Sequence, residues 1–502
     1  MTEKKDKILF WIESFQTHFG IAKSIVEKYD CDLYALIVCS PKQKEFFENQ
    51  KFIKFKKSWF LRDHIHLKNH VSDKGKLQSF ENKFSIRLKK IIYAERFFYK
   101  YNKYHKFSDE EIFSIIEQEL EFYDQLLDQI KPDYVLIRNP EYQDIQLFNE
   151  VCKSKNIPVL ILSFTRFSDR WMLSSAVDIP FLLDNSEEKI DLKSFDNLLE
   201  SGKSYSQIHN IELPRQKSNT LQKIEVLKSF FSVFQSSNIN NYRDVGKTPW
   251  ATFLVRLKLL LNSVTSEKFL NQNSSFAIPP ATPFAYFPLH FEPEEVILNR
   301  ADFFSDQLSV IKNISQSLPI GMNLFVKEHP AMKLVGWRDR DYYKKIIEMP
   351  NVTFFHPSVS TESLLQNSSL VITIAGSTGL EAAFYQKPSV VFTPSTYSNL
   401  SCVHLVKNLN ELPLIIKNCL NSKVDLTELN YLIDKIEKSS FSMDVMGLNT
   451  SAAQIFGLGG FIEIGEISEN IMQKFLIKHK DDFDTLAIEH IKYFNQPKTN
   501  NS

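Results

Sequence analysis

Glycine is scarce, 13 residues in 502, and none of it falls in a P-loop or dinucleotide pattern. There is no Gly-x-x-x-x-Gly-Lys-Ser/Thr run, and Gly457, Gly459 and Gly460 do not match a dinucleotide fingerprint. P-loop phosphate chemistry is thereby set aside. The five cysteines, Cys31, Cys39, Cys152, Cys402 and Cys419, are odd in number, scattered and without metal-ligand spacing. They read as reduced thiols of a cytosolic protein. No zinc-type His/Cys cluster occurs, and Gly-Ser-Thr-Gly lacks the pattern of a serine nucleophile elbow. Asp-x-Asp occurs only at Asp30–Asp32 and Asp339–Asp341, where it reads as helix-flanking charge, so no metal is expected. Net charge is also missing: Lys+Arg and Asp+Glu are 60 each, which gives no overall pull toward nucleic acid. No apolar run reaches the roughly 18 residues that span a bilayer. The nearest, 251–264, is interrupted by Arg256 and Lys258. The start, MTEKKDKILFWIES, lacks the apolar stretch and cleavage site of a signal peptide. The expectation is a cytoplasmic protein that at most touches the inner face of the cytoplasmic membrane.

What is present is alternation. Residues 8–12 and 32–38 read as strands around a helix at 18–29. A long amphipathic helix follows at 109–130, with a strand at 132–138, a helix at 142–154 and a strand at 158–164. A second series begins at 284. Its strands are 284–289, 322–328, 351–355, 370–375 and 388–393, and its helices 294–315, 340–348, 360–366, 377–386 and 409–420. Alternation of this kind predicts parallel sheets with helices packed on them. A chain this long needs more than one core. The expected fold is α/β, with two Rossmann-like domains facing a central cleft. The N-terminal one spans 1–265, the C-terminal one 284–425 and a helical tail 426–502, with a linker at 266–283. Polar helices are expected at 186–200 and 219–235. Residues 51–106 read as a basic helical insertion, where Lys and Arg outnumber Asp and Glu by roughly sixteen to four among Phe, Trp and Tyr. This is either a solvated face or a surface for an anionic acceptor or lipid headgroups.

Ligands of open α/β sheets bind beyond the carboxyl ends of the strands. Four polar clusters of the second half fall there: His290 and Glu292 in LHFEPE, Lys327 and His329 in KEHP, His356 in FHPS, and Gly376, Ser377, Thr378 and Glu381 in GSTGLE. Gly376 permits a tight turn, and the hydroxyls and first amides after it suit an anion. Glu381 suits ribose hydroxyls. His329 can donate to a phosphate oxygen and Lys327 can supply a charge. Each has a plainer reading as an N-cap or a solvated strand end; His356 is the weakest of them. Arg166 and Arg170, after the strand at 158–164, can pair with a carboxylate on donor or acceptor, or with Asp169. Among acids and bases of the first half, Glu13 is the best placed general base, ahead of His18 and Glu141.

FPLHFEPE, FVKEHP and the NVTFFHPS to SLVITIAGSTGLEAAFYQKPSVVF block resemble bacterial capsular polysaccharide biosynthesis proteins, which include Kdo transferases. The resemblance covers roughly 284–395, and more loosely 132–176 through TRFSDRWML. It departs at Glu292, where the family's usual spelling has Gln. The resemblance implies a GT-B glycosyltransferase with the nucleotide sugar on the C-terminal lobe and no metal or other cofactor. The His-Pro pair also resembles the cytidine-nucleotide site of bacterial sialyltransferases and glycerophosphate polymer synthases. On that likeness His329 meets the phosphate or ribose, Ser377 and Thr378 meet the phosphate, and the donor is a CMP-linked sugar acid such as Kdo or sialic acid. The acceptor would be a glycan or lipid-linked saccharide. The alternatives are a UDP-sugar 2-epimerase or glycerophosphotransferase on the same fold, and a non-catalytic sugar-binding subunit of a capsule assembly complex.

Overall fold

In the computed structural model the described residues are 5–13, 15–67, 70–101, 103–176, 192–202, 242–243, 245–280, 282–456 and 467–496. The helix expected at 219–235, the start of that expected at 186–200, and Gly457, Gly459 and Gly460 lie outside them.

Two parallel-stranded sheets form. The first holds β1 (Asp6–Ile12), β2 (Cys31–Ile37), β3 (Lys57–Phe60), β4 (Tyr134–Ile137), β5 (Val159–Phe164) and β6 (Arg170–Ser174). The second holds β7 (Phe284–Pro288), β8 (Asn323–Lys327), β9 (Val352–Phe355), β10 (Leu370–Thr373), β11 (Ser389–Val391) and β12 (Val403–Leu405). A last strand, β13 (Phe441–Ser442), returns to the first sheet. The orders are β13-β6-β5-β4-β1-β2-β3 and β12-β11-β10-β7-β8-β9. Counted within each lobe, the first is 5-4-1-2-3 at its parallel centre and the second 6-5-4-1-2-3. This is the doubly wound order, whose direction reverses between the first and fourth strands. The molecule is therefore a GT-B-like pair of Rossmann-like lobes. One crevice opens between β1 and β4, and the other between β7 and β10.

The central strands lie between helical layers on both faces, so they are apolar throughout rather than alternating. Ile8, Leu9, Phe10, Trp11 and Ile12 of β1 are all fully buried, as are Leu324, Phe325 and Val326 of β8. The helix Asp109–Ile130 starts as its sequence suggests: Ser108 and Glu111 form a reciprocal capping box, and Ile112, Ile115, Ile116, Leu120, Tyr123, Leu126 and Leu127 face the core.

Several expectations shift. Residues 51–106 are not an appendage. They contribute edge strand β3, and Leu61, Ile65, Leu77, Phe80, Phe84 and Ile91 join the N-terminal core. Their charge is the solvated side of elements whose other side is packed. The helix read at 294–315 is broken, with short turns at Val296–Arg300 and Asp302–Phe304 before a helix at Gln307–Ser317. The expected linker begins inside a long helix, Pro249–Asn273, whose Ser266 hydroxyl donates to Arg338 O (3.0 Å) and whose Glu267 pairs with Lys333 (3.2 Å). That helix belongs to the C-terminal lobe.

The tail does not stand alone either. Helix Leu426–Ser439 packs Leu429, Leu432, Ile433 and Ile436 beside Leu380 and Phe384, after which β13 pairs antiparallel with β6. Helices Val445–Ile455, Glu469–Lys478 and Lys480–Phe494 then cover the N-terminal sheet. A Cβ at Gly20 would stand 2.3 Å from the buried ring of Phe483 on the last of these. Gly20→Val is accordingly expected to destabilise the chain by about 1–3 kcal/mol, read as a lowered melting temperature with loosening of residues 480–494 in hydrogen exchange.

Candidate functional site

The C-terminal crevice is built from strand tips. Beyond β7, His290 is buried; its amide donates to Gln307 Oε1 (2.8 Å), and its Nε2 lies 3.2 Å from Thr373 Oγ1 and accepts from the Ala375 amide (3.4 Å). Its Nδ1 faces Glu294 at 3.8 Å. Both ring nitrogens thus have protein partners. His290 braces β7 against β10 and holds the turn at Gly376 in place. A Cβ on Gly376 would lie 2.7 Å from Thr373 Oγ1 and 3.5 Å from His290 Cε1, which is why this turn takes glycine.

Glu292 stands beside His290. Its carboxylate pairs with Arg338 Nη1 (2.5 Å) and accepts from Gln307 Nε2 (2.6 Å). Arg338 is buried, pairs with Glu328 through Nε (2.8 Å), and donates to His290 O. Tyr343 Oη adds a 2.9 Å bond to Glu328. Glu292, Glu328 and Arg338 are therefore a scaffold beneath the crevice.

Beyond β8, His329 Nδ1 accepts from the Ala331 amide (3.2 Å), capping the short turn Pro330–Val335. Burial lowers its pKa against the opposing charge of Glu294, so the ring is neutral near pH 7. With Nδ1 as acceptor, the proton sits on Nε2, which is the donor. Lys327 is buried at 5% exposure, and its Nζ donates to Thr361 Oγ1 (2.7 Å). Burial pushes this ammonium down to about 8, with Glu381 as the opposing charge. Glu381 is in turn raised by burial, against the Ser377 hydroxyl that donates to it (2.8 Å) and the charge of Lys327. KEHP and GSTGLE thus share one electrostatic neighbourhood, two strands apart. In the turn that opens helix Thr378–Phe384, the amides of Gly379, Leu380 and Glu381 bond back to Gly376 and Ser377. Tyr397 Oη fixes the Gly376 carbonyl from below. His356, beyond β9, stacks on Phe276 at 4.7 Å.

Glu294 was not singled out from the sequence. Burial raises its proton affinity, but the His290 hydrogen bond and the favourable electrostatics of His290, Arg166 and His329 outweigh that, leaving its pKa below the usual range. It is an ionised carboxylate at the crevice centre, legible only once three separate strand tips are known to meet.

Across the cleft, Glu13 follows β1 and Arg138 follows β4, and they pair at 2.6 Å. Trp11 Nε1 donates to the other Glu13 oxygen (2.6 Å). Burial raises the Glu13 pKa, with Arg138 opposing. His18 is pushed down to about 3, chiefly by burial, and stays neutral. Glu141 meets Arg96 at 3.5 Å. Arg166 reaches from the N-terminal lobe to Ala375 O (2.7 Å), beside the Gly376 turn, and Arg96 approaches Pro293 O at 3.5 Å. The two arginines of TRFSDR therefore part. Arg166 lies in the cleft, whereas Arg170 faces the returning tail. Its guanidinium donates to Ser440 Oγ (2.8 Å), Glu437 O (2.6 Å) and Ser440 O (2.8 Å), which fastens the returning tail.

Residues 191–401 match the family model described as capsule polysaccharide biosynthesis protein. The capsule-family match takes in all four strand-tip clusters of the C-terminal crevice. No curated protein matches the chain significantly. Among solved structures, a UDP-GlcNAc 2-epimerase from Methanocaldococcus jannaschii is similar at 14% identity, over 86% of this chain and 99% of its own, with a TM-score of 0.23. The KpsC β-Kdo 2,4 transferase of Thermosulfurimonas dismutans is similar at 12% identity over 60% and 79%, with a TM-score of 0.29. The KpsC β-Kdo 2,7 transferase of the same organism is similar at 10% over 66% and 98%, also with a TM-score of 0.29. Among the described residues, no group of three or more His, Cys, Asp or Glu side chains is gathered to hold a metal ion.

Proposed function

We propose that the protein is a metal-independent glycosyltransferase of capsular polysaccharide synthesis, taking a CMP-linked sugar acid such as Kdo or sialic acid. One observation carries this reading. A neutral histidine donor, His329, and a buried ammonium, Lys327, stand at the same strand tip, beside the reversal point of a doubly wound sheet, within the capsule-family stretch. The donor phosphate accepts from His329 Nε2 and Lys327, with Ser377 and Thr378 beside it and Glu381 toward the ribose. The bond from the anomeric carbon to the phosphate oxygen breaks, and its electron pair leaves with CMP, stabilised by those two cations or donors. The acceptor hydroxyl forms the new bond and gives its proton to Glu13, whose proton affinity burial raises above that of a solvated carboxylate. The Arg138 pair orients the Glu13 carboxylate, which has lone pairs beyond those used by Arg138 and Trp11. Arg166 takes a sugar carboxylate. The acceptor is a glycan or lipid-linked saccharide at the inner face of the cytoplasmic membrane.

A thermal-shift panel of CMP, CDP, UDP and GDP tests the donor class, since a ligand of the native state raises the melting temperature by mass action. CMP is expected to give the largest shift; a preference for UDP, with sugar released or epimerised without acceptor, overturns the reading. The pH dependence of CMP affinity checks Lys327. Its charge is present below about 8 and lost above, so affinity should fall about tenfold per unit beyond that point, and Lys327→Met should abolish the slope. The stability effect of this lysine has its own sign. Between about 8 and its unfolded value the unfolded chain binds more protons, so the cost of burying the ammonium fades as pH rises.

A further inference from the structure

The helix Leu88–Ala94 and the turn Phe97–Tyr101 bring two phenol rings together on the outside of the N-terminal lobe. Leu88, Ile91 and Ile92 enter the core, while Tyr93 stays 76% exposed and Tyr99 45%. The two rings are nearly parallel, 13° apart with centroids at 6.4 Å. Between 72 and 108 no other large apolar side chain among the described residues is exposed. The patch is therefore ring faces with hydroxyl rims and no aliphatic surface. An acyl boundary is met by Leu and Phe as well as by amphipathic rings. The C–H face of a sugar packs on a π face, and its hydroxyls answer the phenols. Charge narrows the class of sugar. The same segment exposes Arg87, Lys89, Lys100 and Lys103, with Lys89 one helical turn before Tyr93. None of these four pairs with a described carboxylate. Glu95, the one acid between 82 and 108, is turned inward, where it accepts from the amides of Phe97 (2.5 Å) and Gln143 (2.6 Å). Against the four cations, the charge of Asp109 reaches Tyr99. The balance favours an anionic chain. Position says where that chain comes from. Helix Leu88–Ala94 packs on the turn Val296–Arg300 of the C-terminal lobe. Arg96 lies over the Tyr142 ring at 4.5 Å and donates to Glu141 O (3.1 Å) and Pro293 O (3.5 Å). The segment that carries the rings thus walls the cleft, and a saccharide extending from the cleft on this side runs onto them.

We propose that Tyr93 and Tyr99, with Lys89 and Lys100, form a subsite outside the cleft for an acidic saccharide chain, the part of the acceptor remote from the reacting hydroxyl. The subsite rests on the transferase reading of the cleft, but chain binding is measured without donor. The test is calorimetric titration of the protein with hexamers of sialic acid and of galacturonic acid, against maltohexaose. At least one acidic hexamer should bind and the neutral one should not, with affinity falling as salt is added. Tyr93→Ala/Tyr99→Ala should raise the Kd by about tenfold or more, whereas Tyr93→Phe/Tyr99→Phe keeps the rings and most of the affinity. Tyr93→Ala alone, at the more exposed position, serves if the pair disturbs folding. Lys89→Glu/Lys100→Glu should weaken binding and flatten its salt dependence. All these variants should keep the melting temperature and the CMP-induced shift. In transfer assays the alanine pair should raise KM for a long acidic acceptor and leave kcat, and KM for a monosaccharide acceptor, unchanged. Equal binding by wild type and the alanine pair overturns the proposal, as does wild type that binds neither acidic hexamer, and both leave transfer to a short acceptor standing. Sedimentation with phosphatidylglycerol vesicles that the alanine pair abolishes, with no hexamer bound, overturns it in favour of lipid. Ring-dependent chain binding without any transfer keeps the subsite and removes the transferase reading instead.

Discussion

His329→Ala is expected to lower sugar transfer by about a hundred- to a thousand-fold, the usual cost of removing one donor aimed at developing charge. The residue has two separable jobs. Nδ1 caps the turn at Pro330–Val335 by accepting the Ala331 amide, and in the proposed reaction Nε2 is the donor offered to the nucleotide. Losing a cap costs stability by about 1 kcal/mol. His329→Asn separates the two, because asparagine is a good N-cap whose short amide cannot reach where the imidazole Nε2 does. It should melt near wild type yet transfer as poorly as the alanine variant. Steady-state transfer to a saccharide acceptor, with CMP affinity measured in parallel, reads both effects. Wild-type turnover in either variant would remove His329 from the reaction and with it the donor site as drawn.

Arg338→Ala should produce the largest loss of stability. Its guanidinium meets Glu328, which is 1% exposed, and Glu292, and it also donates to the His290 carbonyl. Removing it strands a buried carboxylate, a cost of about 3–5 kcal/mol. The unfolding transition of the C-terminal lobe should drop by roughly 10 °C. Replacing Arg338 by Met and Glu328 by Gln together should recover much of this, since no bare charge is then buried and Tyr343 keeps a partner. Thermal unfolding of the two single variants and the double closes the cycle. The single Arg338 variant should also lose nucleotide affinity, because the His290 brace that sets the Gly376 turn hangs from the same arginine.

The strand tips were legible because a buried parallel strand writes itself as an apolar run that stops at polar residues. KEHP and GSTGLE needed nothing more. Their neighbours were harder. His290 and Glu292 have the same sequence appearance as ligand residues, but one bridges to Thr373 and the other to Arg338, contacts more than 40 residues away in the chain. Glu294 and Arg138 were overlooked for the converse reason: each is a single charge in an ordinary context until the neighbouring strand is known. β6, β12 and β13 were missed because strands of two to five residues leave too little periodicity to see. In the basic stretch 51–106 charge density reported only the solvated side; the packed side, Leu61 to Ile91, lay in the apolar residues between the charges.

By itself, the sequence determined the alternating strands and helices, the two-lobed parallel architecture and the polar ends of the second lobe's strands, since those follow from local periodicity and from the burial of β-strands. Only the tertiary structure decided which polar residues face the cleft and which hold the scaffold together. That choice depends on pairing across strands and lobes, where a carboxylate 2.5 Å from Arg338 is a brace and another stands among His290, His329 and Arg166 at the cleft.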